Sequence, residues 1–143
     1  MNMSTLPTDS EARKNIPMCS GLIDYFPAAL AEVARLSQHG NDKHNPGQPL
    51  HWSRDKSSDH GDCIVRHQIQ HGTEDTDGFL HDVKVAWRAL AQLQVALEAR
   101  GAPPSRASRF ANHSPQASDF PVSGPGSTSP ITRDARPLPK VVR

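Results

Sequence analysis

An all-α fold is what this sequence predicts, on three observations. Apolar residues recur at helical spacing in three stretches between residues 22 and 100. Clusters of Gly, Pro, Asn and Ser separate those stretches. No segment alternates with the two-residue period of a half-buried strand, and there is no internal repeat. The expected architecture is a small bundle of three main helices.

Each element has its own warrant. Residues 1–20 are polar and aperiodic, so an extended arm is expected there. The segment "DYFPAALAEVARLSQHGN" reads as the first helix, with Pro27 in its first turn and Phe26, Leu30, Val33 and Leu36 on one stripe. Gly40 is its expected stop. Residues 41–56, "NDKHNPGQPLHWSRDK", read as a loop, and a loop of that length in a small domain points to function. Ser57 or Ser58 is placed to cap a second helix through "DHGDCIVRHQIQ", ending at Gly72. After the turn "TEDTDG" the third helix carries Phe79, Val83, Ala86, Leu90, Leu93 and Leu97 on one seam and ends at Gly101. Its span of about 22 residues corresponds to about 33 Å.

Three helices over residues 21–101 make a thin core. The long seam offers more apolar edge than two shorter helices cover, which predicts a homo-oligomer. Residues 102–143 hold eight prolines and seven serines and no helical period, the composition of a disordered tail. Charge divides unevenly, −3 over residues 1–101 and +4 over the tail. An acidic body argues against a specific nucleic-acid partner and leaves the basic tail, read as solubilising, at most a weak contact. There is no apolar run long enough to span a membrane and no secretory signal, and two cysteines do not make a disulfide framework. A cytoplasmic location is expected.

The chemistry-bearing residues concentrate between positions 39 and 81, which hold seven of the eight histidines. In "DHGDCIVRH", His60, Ile64 and His67 share a helix face, with Asp59, Asp62 and Arg66 on the neighbouring one. Glu74, Asp75 and Asp77 precede the third helix and His81 and Asp82 open it, part of that acid compensating the helix dipole. Glu32 lies beside Val33 at the inner edge of the first helix. Carboxylates and imidazoles facing one another across packed helices build divalent-metal sites in bundles, and they serve equally as hydrogen-bonding partners without a metal. His39, His51, His71 and His113 read as loop or solvent residues. CxxC pairs, HExxH, GxxxxGK[ST] and GxSxG are all absent.

Six elements in order over residues 13–97 carry a family resemblance: "FPAALAEVA", the glycine and lysine of "HGNDKH", Trp52, "DCIVRH", "EDTDGFLH" and "AWRAL". Together they resemble the phage-encoded dATP/dGTP diphosphohydrolases, which look like relatives of the MazG-type all-α nucleotide pyrophosphohydrolases. The resemblance implies Mg²⁺- or Mn²⁺-dependent cleavage of a deoxypurine nucleoside triphosphate to the monophosphate and pyrophosphate, in phage nucleotide metabolism within the host cytoplasm. It implies Glu32, Asp62 and His67 as catalytic residues, and Glu32, Asp62, His67, Asp77 and His81 as metal ligands or their partners. Lys43 and Arg66 would hold phosphate oxygens. Trp52 would stack on the base or anchor the long loop. The ExxE and ExxD pattern of MazG enzymes does not stand in this chain: Glu32 takes the first acidic position, but Arg35 takes its partner's.

Two other classes compete on the residues. His81-Asp82 invites comparison with HD-type phosphohydrolases, although the only later aspartates, Asp119 and Asp134, lie in the tail. A non-enzymatic helical oligomer, binding a partner through the seam and the tail, is the third reading.

Overall fold

The computed structural model describes residues 4–56 and 58–108. Among the described residues four α-helices follow one another: α1 (Ser10–Lys14), α2 (Pro27–His44), α3 (His60–Ile69) and α4 (His81–Ala99). A π-helical turn at Cys19–Ile23 and a 3₁₀ turn at Arg54–Lys56 lie in the connections. The only extended pairing among the described residues is an isolated antiparallel bridge between Glu74 and Leu80. The fold is all-α, and no helix among the described residues is long and apolar enough to cross a membrane.

α4 is the central element, packed chiefly on α3 and also on α2. Its seam divides in two. Phe79 and Val83 are buried with Cys63 of α3 and with Ala91, while Leu90, Leu93 and Leu97 are 49%, 54% and 44% exposed. The front half of the seam is therefore core, and the rear half is surface.

Four boundaries differ from the sequence reading. The arm is not wholly extended, because the Asp9 carboxylate accepts the Ala12 N–H at 2.7 Å and starts the short helix α1. Met1–Met3 lie outside the described residues. α2 runs through Gly40 to His44: nothing crowds a Cβ there, and the glycine merely lowers helix propensity without ending the helix. One residue further on, Asn41 is buried and fastens the following loop. Its Nδ2 donates to the Gln48 carbonyl at 3.0 Å, and its Oδ1 accepts the His51 N–H at 3.3 Å.

α3 has Asp59 at its N-cap position, in place of Ser58, and ends at Ile69. Ser57 and the tail from 109 onward, with His113, lie outside the described residues. Residues 102–108, expected in the tail, belong to the folded unit. The Glu98 carboxylate accepts the Ser105 N–H at 2.7 Å, and the Trp52 N–H donates to the Ala107 carbonyl at 3.0 Å. Arg54 closes this strap with a two-pronged ion pair to Glu98 at 2.6 and 2.7 Å.

Candidate functional site

The loop between α3 and α4 is built by short-range hydrogen bonds. Asp75 N–H donates to the Phe79 carbonyl, Gly78 N–H to the Asp75 carbonyl and His81 N–H to the Thr73 carbonyl, at 2.8, 2.9 and 3.0 Å. Gly78 supplies the left-handed conformation that this turn needs, at φ +80°. Both carboxylates of the turn, Asp75 and Asp77, are thereby brought onto the Lys84 ammonium, at 2.5 and 2.7 Å.

Beside this cluster stand two imidazoles. His67 lies in the last turn of α3 and His81 is the first residue of α4; their Nδ1 atoms are 2.8 Å apart. At that separation one ring donates and the other accepts, so at least one ring is neutral on Nδ1. Burial, reinforced by Lys84 and His81, lowers the pKa of His67 and favours the neutral, ligating form. The Lys84 hydrogen bond and the Thr76 N–H hold Asp75 well below the usual carboxylate range. Burial pushes Asp77 up, but Lys84 and the Phe79 N–H outweigh it and the net shift is downward. Lys84 is raised, its desolvation offset by the two carboxylates.

One ligand atom from each of His67, Asp75 and His81 lies within 4.8 Å of the others. His67, Asp75, Asp77 and Lys84 also line a cleft of about 590 Å³ that runs between α4, the second half of α2 and the loop after it. Its lining has four Lys or Arg side chains, Lys43, Lys56, Lys84 and Arg88, against the two aspartates. A cleft with excess positive charge on an acidic body attracts anions. Trp52 and Trp87 form an aromatic wall, ring centroids 5.9 Å apart, and the Trp87 indole N–H is fixed to Ser37 Oγ at 2.8 Å.

The sequence-based site residues fall into three groups. His67 and His81 come together as ligand candidates, and Lys43, Trp52 and Asp77 line the same cleft. Asp77 lies beside the three-residue group rather than in it, bound to Lys84 and 3.9 Å from His39 Nε2. Glu32, Asp62 and Arg66 are elsewhere. Glu32 is engaged by Arg35 at 2.7 Å, Asp62 is exposed on α3, and Arg66 pairs with Asp59 at 3.0 Å; none of the three lines the cleft. Trp52 does anchor its loop: Arg54 covers one face at 4.3 Å and the strap takes its N–H. His39 and His51, read as solvent or loop residues, line the cleft.

Sequence reasoning places Asp75 among the acids before the third helix without assigning it as a ligand, and does not single out Lys84 or Arg88. Positions 81, 84 and 88 share one face of α4 at i, i+3 and i+7, a signal overshadowed by the stronger apolar seam. The position of Asp75 depends on the turn geometry and has no periodic signature.

No family model, curated protein or solved structure matches this chain.

Proposed function

We propose that the chain hydrolyses deoxypurine nucleoside triphosphates, dATP or dGTP, to the monophosphate and pyrophosphate, with a divalent ion held by His67, Asp75 and His81. The observation that supports this reading is the convergence of those three ligand atoms beside a cleft with cationic and aromatic walls. The donor set fits an ion. Two imidazoles and one carboxylate suit Mn²⁺ better than Mg²⁺, which prefers an all-oxygen shell. Such an ion, when bound, neutralises phosphate charge and lowers the pKa of a coordinated water.

The chain's own residues do the rest. Lys43 and Arg88 hold phosphate oxygens from two sides of the cleft, the guanidinium as a planar fork and the ammonium as a point charge. Arg88 is itself oriented by His60, whose Nδ1 lies 3.3 Å from it. Trp52 and Trp87 exclude water and offer apolar surface to a purine. Phosphoanhydride cleavage depends on positioning and charge neutralisation more than on covalent chemistry, so this inventory suffices. Glu32, Asp62 and Arg66 have no part in this reading.

An HD-type site is disfavoured because Asp82 accepts the Gly72 N–H at 2.6 Å and lies 3.9 Å from His71, outside the three-residue group. The exposed Leu90, Leu93 and Leu97 favour a homo-oligomer with this face buried between copies. The test is product analysis with dATP and dGTP under Mn²⁺ and under Mg²⁺. Monophosphate and pyrophosphate are expected, with Mn²⁺ the better activator. Release of triphosphate or inorganic phosphate, or no turnover with either ion, overturns the reading.

A further inference from the structure

A divalent ion at Asp75 meets a competitor, because both carboxylate oxygens already accept hydrogen bonds and one of them accepts from a cation. Oδ1 accepts the Thr76 N–H at 2.7 Å and its hydroxyl at 3.3 Å, and Oδ2 accepts the Lys84 ammonium at 2.5 Å. The Thr76 contacts are local and fixed by the turn. The Lys84 contact comes from a flexible stem nine positions away, and that stem has an alternative partner, Asp77 Oδ2, at 2.7 Å.

We propose that Lys84 is a resident counter-cation that competes with the divalent ion for Asp75 and, once displaced, stays on Asp77 and faces the anion in the cleft. The inference rests on the metal reading of His67, Asp75 and His81 given above. Three features support it. The Lys84 side chain is only 14% exposed, so its charge is held in place by the two carboxylates and not by water. An ammonium and a metal ion sharing one carboxylate repel at a separation where solvent screens little. Lys84 also lines the cleft, so leaving Asp75 while keeping Asp77 requires a change of side-chain torsions and no movement of α4. Without the ion, Lys84 neutralises the partly exposed pair Asp75 and Asp77; with it, the same charge becomes available to a phosphate.

The test titrates Mn²⁺ into the full chain and follows free Mn²⁺ by electron paramagnetic resonance. Lys84→Met keeps the stem and removes the charge, so it should tighten Mn²⁺ binding at least tenfold over the unsubstituted protein. Adding Asp75→Asn to that variant should abolish the gain. Equal or weaker binding by Lys84→Met, beside clear binding by the unsubstituted protein, overturns the competition and leaves the metal site standing. Absence of binding in both overturns the two readings together. A second arm needs no variant: acylation of Lys84, read by mass spectrometry on the unsubstituted chain, should rise several-fold on adding Mn²⁺. Labelling of Lys84 unchanged at saturating Mn²⁺ overturns the displacement, and this arm decides the matter if Lys84→Met does not fold.

Discussion

Replacing Glu98 by Gln removes the charge that ties three parts of the chain together. The carboxylate takes both prongs of Arg54, the Gln94 amide and the Ser105 N–H, each between 2.6 and 2.7 Å. Glutamine keeps the shape but turns one acceptor into a donor, which faces the Arg54 fork or the strap. The pair holds Glu98 down to about 2 from an ordinary 4.5. Fully realised, a shift of that size corresponds to about 3 kcal/mol of stability. Arg54 is 32% exposed, so solvent screening leaves about 1–2 kcal/mol. For a domain of this size that is a fall of about 5–15 °C in Tm. Because the folded-state pKa is depressed, the contribution is complete above pH 4.5 and disappears as pH falls toward 2. Thermal melts followed by circular dichroism should therefore show a large Tm gap between the two proteins at pH 7 and a small one at pH 2.5. A gap that is absent at pH 7, or equally large at pH 2.5, would refute the assigned role of the pair.

Three further outcomes are expected. Asp75→Asn should lower Mn²⁺-dependent turnover by about two orders of magnitude or more, since preorganised charge is often the largest catalytic contribution, whereas Asp62→Asn should leave kcat within about twofold; steady-state kinetics on both variants checks this. Truncation after Ser108 should leave helicity and turnover intact, while truncation after Gly101 should lower Tm and raise KM, because only the second removes the strap along the cleft. Leu93→Glu, at a side chain 54% exposed, should leave the fold intact and dissociate an oligomer built on the rear of the α4 seam; light scattering reads the outcome, and an unsubstituted protein that is already monomeric would end that idea.

The helices were legible because their burial follows a period. The front of the α4 seam needs nothing beyond amphipathic spacing and is buried where the spacing puts it, whereas on α2 Leu30, Val33 and Leu36 are half-buried and Phe26, at the N-cap position, is 52% exposed. Gly40 misled because glycine both stops helices and is tolerated inside them, and the deciding fact is the burial of Asn41 one residue on. At the site, His67 and His81 were legible as chemistry but not as a pair, since a hydrogen-bonded turn sets their meeting. That same turn selects Asp75 over Asp77 as the third member, through the bonds of Gly78 and Phe79. Glu32 and Asp62 had the right chemistry on helix faces directed elsewhere. The strap at 102–108 is fastened by hydrogen bonds, which leave no hydrophobic pattern in a Pro- and Ser-rich segment.

The most direct test of the account is anomalous diffraction at the manganese edge from crystals grown with Mn²⁺. The account predicts one strong peak at coordination distance, about 2–2.3 Å, from His67, Asp75 and His81, with Lys84 moved off Asp75. A peak at Glu32 or Asp62, or crystals saturated with Mn²⁺ that show none at the three residues, would contradict it.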